Sequence, residues 1–407
     1  LWLTNPIQTQ AVTYIIQRAT SMASMFYLLS LVFYVKGRLS MGNPRIATTV
    51  NRKPRFATTY FIASLLFAFL SLGSKEISIS LPLVVVLYEI LFFRAFSRER
   101  WKKSLLYLFL LLILFYVVLK KMLPGALPAL QKLNLLRGFQ VSPVIIHYLT
   151  LLFLPLPAHL ILDYDFFSFP VLTVVLSTLI LTGIVLIAFL LIRRKPVISF
   201  FIFWFFLNLL PQSIGRAITN YELFFEHRLY LASIGFAVVL VLILSKIVAV
   251  GFIPLKEKTK KGIFLSLIIP LIGLNSFWTI KRNESWQNPV SLWMDTVMKA
   301  PNNPRAHTNL GAAFLTKGEV DQAISALQNA LKITRHIEVG LPAKTYYYLG
   351  MAYQQKGWNK EAIEQLEIAL EKAEQGASLS PGARFHLADL YIQEKQYEKA
   401  IETYKKM

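Results

Sequence analysis

Glu226, His227 and Arg228 stand in a row at the head of an apolar run that continues through Leu229-Tyr230-Leu231. Arginine offers a planar fork that can hold two oxygens of one phosphate, and histidine and glutamate move protons near neutral pH. Together they suit the handling of an anionic lipid head group. The plainer reading is that three polar residues mark where a helix leaves a membrane. Lys75 and Glu76 form a second charged pair, in the short turn Ser74-Lys75-Glu76 between two apolar runs. They could serve the same anion or simply pair with each other.

Three further positions join the candidates. Arg18 falls inside an apolar run, and an arginine at membrane depth faces a cavity or snorkels to the surface. Alternatively, the span starts at Ala19 and residues 5–18 lie along the surface. Asp163 and Asp165 flank Tyr164 on a polar loop, where they could meet an acceptor, a metal or only solvent. Glu89, with Arg94 beyond it, reads as a structural pair near a helix end. His147 and His159 are not spaced as a metal site, and with no cysteine in the chain no Cys-ligated metal is expected; the sequence leaves metal dependence undecided.

The elements that would position these residues are apolar. Hydrophobic residues make up 55% of the 407, mean hydropathy is +0.50 and only 16% of residues are charged, against about a quarter in soluble domains. The net charge of +21 resembles a nucleic-acid signal until it is divided. Residues 1–280 hold 27 Lys and Arg against 8 Asp and Glu, whereas residues 281–407 hold 16 against 14. The basic excess lies in the loops of the apolar half, where it sets topology and meets anionic lipid. A nucleic-acid partner is not expected; membrane lipid is.

Apolar runs at 11–35, 56–73, 77–93, 104–119, 171–192, 197–210, 230–250 and 262–280 predict eight crossings. A ninth run, 144–154, is bracketed by Pro143, Pro155 and Pro157 and is too short to cross, so a re-entrant or interfacial helix is predicted. Loops at 36–55, 94–103, 193–196 and 246–261 then carry 19 Lys and Arg against 7 in the opposite set, which places the first set inside and residues from 281 onward outside. Trp278, Trp286 and Trp293 read as interfacial anchors at the exit of the last span.

The polar half repeats itself. Leu310-Gly311, Phe314, Ala323, Leu327 and Ala330 recur as Leu349-Gly350, Tyr353, Ala362, Leu366 and Ala369, and again as Leu387-Ala388, Tyr391, Ala400 and Tyr404. These offsets are those of the tetratricopeptide repeat. Small residues let two antiparallel helices approach, and Phe314, Tyr353 and Tyr391 fill the space between them. The expected architecture is all-α: a polytopic membrane domain over 1–280, a linker over 281–303, and an α-solenoid over 304–407 with two full repeats and a third cut short. Leu1 and the incomplete third repeat suggest a fragment, truncated at both ends.

Several stretches share an order with a known family. Asn5-Pro6-Ile7-Gln8-Thr9-Gln10-Ala11-Val12 followed by Arg18, Ser74-Lys75-Glu76 followed by Leu81-Pro82, Asp163-Tyr164-Asp165, Glu226-His227-Arg228-Leu229-Tyr230-Leu231, and Leu292-Trp293 with Pro304-Arg305-Ala306-His307 form the set. Their order resembles the transmembrane-and-tetratricopeptide O-mannosyltransferase-like proteins and their bacterial relatives, which have the GT-C glycosyltransferase fold. The resemblance implies transfer of a sugar from a polyprenyl-phosphate donor, with inversion, to a protein or peptide held by the repeats on the outer face. It assigns Glu226 and Glu76 to catalysis and Arg228, His227, Arg18 and Lys75 to the donor phosphate. Asp163 and Asp165 fall on the acceptor side. The lipid-linked sugar is a substrate, and no covalently bound cofactor is implied.

Asn5 and Gln10 stand where the family has His and Glu, and the loop bearing the family's usual catalytic acids would precede Leu1. A membrane-anchored scaffold without catalysis is therefore the rival function, and a flippase of lipid-linked intermediates the third. A bacterial inner membrane with periplasmic repeats is the expected location; an endoplasmic-reticulum membrane gives the same topology.

Overall fold

The computed structural model describes residues 1–14, 17–41, 57–93, 98–122, 138–164, 169–218, 225–250, 256–337, 343–375, 379–380 and 382–407. Every described element is a helix. The chain divides into two compact units, one of residues 1–160 and 166–283, the other of 161–165 and 284–407.

The first unit holds α1 (Thr9–Thr13), α2 (Arg18–Ser40), α3 (Ala57–Ser74), α4 (Leu81–Phe92), α5 (Arg98–Met122), α6 (Val141–Phe153), α7 (Val171–Leu191), α8 (Pro196–Ile218), α9 (Leu229–Val250) and α10 (Glu257–Glu284). Among the described residues, five helices are long and apolar enough to cross a membrane: α2, α3, α7, α10 and the segment Glu226–Ala249 that contains most of α9. The apolar stretches Leu106–Val117 in α5 and Pro196–Pro211 in α8, together with α6, are shorter. The run expected as one span over 77–93 is divided. A 3-10 turn, Glu76–Ser80, precedes the 12-residue α4, which Pro82 opens from its first turn.

The first run is divided as well. Residues 9–13 form the short α1, and α2 begins at Arg18. Arg18 is therefore the first residue of a helix and exposed, not an arginine carried down into it.

Hydrogen bonds hold these apolar helices to each other, as expected where lipid would compete for the same van der Waals contacts. Ser30 Oγ donates to Ser64 O at 2.8 Å, and the Ser64 and Tyr107 hydroxyls lie 2.7 Å apart. Ser80 Oγ donates to Asn208 Oδ1 at 2.8 Å, and Trp204 Nε1 donates to Leu231 O at 2.9 Å. Gly235 of α9 lies so close to α8 that a Cβ there would fall 2.4 Å from Phe201 O. Any side chain at this position would force the two backbones apart.

At one end of α2, Arg38 and Glu89 make a buried bidentate pair, with Nε to Oε1 at 2.5 Å and Nη2 to Oε2 at 2.8 Å. Tyr34 OH donates to the same Oε1 at 2.5 Å, and the guanidinium lies 4.5 Å from the Phe93 ring centre. Arg94, the partner expected from sequence, lies outside the described residues.

The second unit contains α11 (Pro289–Lys299), α12 (Pro304–Lys317), α13 (Val320–Ile337), α14 (Ala343–Gln355), α15 (Asn359–Glu374), α16 (Gly382–Gln393) and α17 (Tyr397–Lys405). Helices α12 to α17 form three antiparallel pairs, the tetratricopeptide solenoid. A Cβ on Gly311 would meet Leu327 Cγ at 2.5 Å, and one on Gly350 would meet Leu366 Cγ at 2.8 Å. The repeated offsets therefore encode close helix approach. Residues 289–299 of the expected linker are helical, opened by a capping box in which Asn288 accepts from Ser291 N. Val290, Trp293 and Val297 of this helix pack on the core around Leu310 and Phe314. Trp293 thus belongs to the solenoid's first layer and not to a membrane anchor.

The turns between paired helices use a left-handed residue, Gly318 at φ 84° and Gly357 at φ 78°. The third pair places Lys395 there at φ 60°. A side chain in this region costs about 1–2 kcal/mol, so Lys395→Gly should stabilise the third pair by about 1 kcal/mol. Slower amide exchange in α16 and α17, with α12 and α13 unchanged, is the expected readout.

Candidate functional site

The residues that gather are those at the junctions between helices of the first unit. The turn after α3 carries Lys75, whose ammonium reaches back to the start of α2 and donates to Gln17 Oε1 at 2.5 Å and Thr20 Oγ1 at 2.6 Å. Glu76 beside it is exposed. A second junction, the 3-10 turn Glu226–Arg228, leads into α9. Here Glu226 and His227 are buried, and Gln10 Oε1 accepts from His227 N at 2.6 Å and lies 3.2 Å from His227 Nδ1. The adjoining ring of Phe225 lies 4.9 Å below the Arg228 guanidinium. Tyr148 of α6 fixes this turn: its hydroxyl donates to Phe225 O at 2.8 Å and accepts from Phe225 N at 3.0 Å.

Electrostatics joins the two junctions. Burial pushes the Lys75 ammonium below its ordinary range; Glu76 pulls it up and Arg228 pushes it down again. Lys75 and Arg228 therefore feel each other as like charges in a half-dry setting, an arrangement that an anion would relieve.

Not all expected residues take part. Arg18 makes no hydrogen bond or ion pair with the described residues. Asp163 is buried in the second unit, where its Oδ2 lies 3.4 Å from Arg305 Nε and its carbonyl accepts from Asn303 Nδ2 at 3.2 Å. It ties a short segment to the start of α12. Asp165 lies outside the described residues, as do 221–224 of the stretch leading to Glu226. Among the described residues, no group of three or more His, Cys, Asp or Glu could hold a metal.

Gln10, Gln17, Thr20 and Tyr148 complete the cluster, and their types gave little sign of it. Neutral side chains leave no charge pattern, although Gln10 lies in the first motif and Gln17 neighbours Arg18. Asn5, the other departure from the family pattern, caps the 3-10 turn Pro6–Gln8 by accepting from Ile7 N at 3.1 Å.

Residues 306–338 and 347–407 match tetratricopeptide-repeat family models. The solenoid is thereby placed among modules built for protein–protein contact. Over 107 residues, 26% of this chain, the sequence is also 30% identical to "Protein O-mannosyl-transferase Tmtc2" of Drosophila melanogaster. The matched stretch is 11% of that fly protein.

Proposed function

We propose that this chain belongs to a membrane glycosyltransferase of the GT-C type, using a polyprenyl-phosphate sugar and a protein or peptide acceptor carried by the repeats on the outer face. One arrangement carries the reading: the Lys75 ammonium, held by Gln17 and Thr20, acts as a like charge on Arg228, whose turn also carries buried Glu226 and His227. In the reaction the acceptor hydroxyl oxygen bonds to the anomeric carbon, the bond from that carbon to the phosphate oxygen breaks, and the phosphate leaves with the electron pair. Lys75 and Arg228 hold the leaving phosphate as its charge grows. Glu76, exposed beside them, takes the hydroxyl proton, and Glu226 orients the turn that carries Arg228. The name of the fly relative supports the reaction class.

Membranes bearing the full-length protein, given a radiolabelled polyprenyl-phosphate sugar, test this. Transfer to protein in wild type, lost in Arg228→Ala and in Glu226→Gln at equal expression, is the expected result. Absence of transfer with every donor tried, while the repeats still capture partners, sinks the reading.

A pH dependence follows from Lys75. Its depressed value means that the ammonium loses its proton at lower pH than an ordinary lysine. A bound phosphate favours the charged form, so donor binding takes up a proton there. Donor KM should rise with pH through that depressed value and level off above the ordinary lysine range. Lys75→Met should raise KM at neutral pH and flatten the alkaline limb; a wild-type profile that stays level up to the ordinary lysine range argues against Lys75 as a phosphate ligand.

The specific observation on the other side is Asn5 and Gln10, neutral amides at positions where the resembling family has His and Glu. They favour a membrane-anchored scaffold that works through its repeats alone.

A further inference from the structure

Gln10 of α1 is 1% exposed and packs against the turn Glu226–Arg228. Its neighbours in sequence are pinned on both sides. Gln8 Nε2 donates to Ser233 Oγ of α9 at 3.0 Å, and Ala11 O accepts from Ser21 Oγ of α2 at 2.8 Å. The amide is placed by these flanks, whatever it bonds to itself.

Its orientation follows from its partner. A backbone N–H can only donate, so the atom 2.6 Å from His227 N must be the amide oxygen. The same oxygen lies 3.2 Å from His227 Nδ1. A bare ring nitrogen would set one lone pair against another there, whereas a protonated one makes a hydrogen bond of ordinary length. A carbonyl oxygen has two lone pairs and can accept both bonds. Nδ1 therefore carries the proton.

The state of the second nitrogen follows from charge. A proton on Nε2 as well would make the ring a cation, buried and beside Lys75 and Arg228. The elements packed on this turn, Pro6–Gln8, α1 and α9, contain no Asp or Glu to offset it. The carboxylates at hand are Glu226 in the turn itself and exposed Glu76 beside Lys75. They equal Lys75 and Arg228 in number, so a third positive charge would be unmatched. Tyr148 of α6 is committed to Phe225. Nε2 is left with a lone pair.

We propose that Gln10 is a positioning residue of this site: its one oxygen holds the turn that carries Arg228 and fixes His227 as the neutral Nδ1–H tautomer. His227 then offers only an acceptor at Nε2. A substrate group that meets it must donate, as a hydroxyl of the sugar or of the acceptor does and a phosphate oxygen does not. The phosphate is left to Lys75 and Arg228. This division of labour rests on the transfer reading above; the tautomer does not.

Nitrogen NMR on full-length protein with isotope-labelled histidine, in phosphatidylcholine nanodiscs at neutral pH, tests it. Glu226–His227 is the chain's one Glu-His step, so carbonyl-labelled glutamate identifies the residue. In wild type Nδ1 should read as protonated and Nε2 as bare, this tautomer exceeding the other by about tenfold, as one buried hydrogen bond implies. Gln10→Glu keeps the acceptor and adds a negative charge, so both nitrogens should read as protonated. Gln10→Met removes the acceptor and should lose the preference for Nδ1. Polyprenyl phosphate added to wild type should leave Nε2 bare. A proton on Nε2 in wild type, before or after the phosphate is added, overturns the proposal, as does a preference that Gln10→Met leaves unchanged. The wild-type spectrum decides the matter even where a Gln10 variant fails to fold. The expected tautomer in a protein that transfers no sugar counts against the transfer reading alone.

Discussion

Arg228→Ala lowers kcat/KM for transfer from a polyprenyl-phosphate sugar by about 10²- to 10³-fold, the usual effect of removing one donor to a developing oxyanion. The structure gives reasons to expect the upper part of that range. The guanidinium lies over Phe225, whose backbone is clamped in both directions by Tyr148, so the fork is held before the phosphate arrives. Preorganisation of this kind is what makes a donor effective in the transition state. Arg228→Lys should recover little, because a point charge cannot bridge two phosphate oxygens. Tyr148→Phe removes the clamp without touching the charge. It should cut kcat by about tenfold or more, the order expected when the two hydrogen bonds to Phe225 are lost, with a smaller change in KM. If Arg228→Ala alters neither kcat nor KM while Lys75→Met alters both, the phosphate lies on the Lys75 side and the role of Arg228 is structural.

The same residues show how far a sequence can be read. The solenoid was legible because its packing depends on size at fixed offsets. Gly311 and Gly350 are glycines because a Cβ there would strike Leu327 and Leu366, and that constraint is written directly in residue type. Most apolar helices were legible for a similar reason, since a span must be both long and uncharged.

Joining the charged turns was harder. Lys75–Glu76 and Glu226–Arg228 stood out as charge in an apolar context, but their separation in sequence says nothing about distance. Arg18 stood out equally and proved exposed, because α2 starts at that residue and does not carry it inward. Asp163, read as an acceptor-side acid, pairs with Arg305, a contact between segments about 140 residues apart that no spacing announces. Charge marks a residue as costly to bury; it does not say which partner offsets the cost.

Glu89→Ala should destabilise the membrane unit by about 3–5 kcal/mol, the range for removing one partner of a buried ion pair. Both side chains are nearly inaccessible, and the carboxylate accepts from Arg38 twice and from Tyr34 once. Truncation leaves a buried guanidinium over the Phe93 ring without its carboxylate. In detergent the unfolding midpoint should fall by roughly 10 °C, taking about 2–4 °C for each kcal/mol in a unit of this size. The double replacement Arg38→Met with Glu89→Leu removes both charges and should restore most of that loss, since well-packed apolar pairs often match or exceed buried ion pairs. Sugar transfer in the double variant then separates two roles. Stability and transfer recovered together mean that the pair serves packing alone. Stability recovered with transfer still absent means that the charge pair sets the relation of α2 to α4 on which the turn carrying Lys75 depends. The opposite result, a single variant as stable as wild type, would mean that water reaches Arg38 once the carboxylate is gone and that this end of the helix bundle is open to solvent.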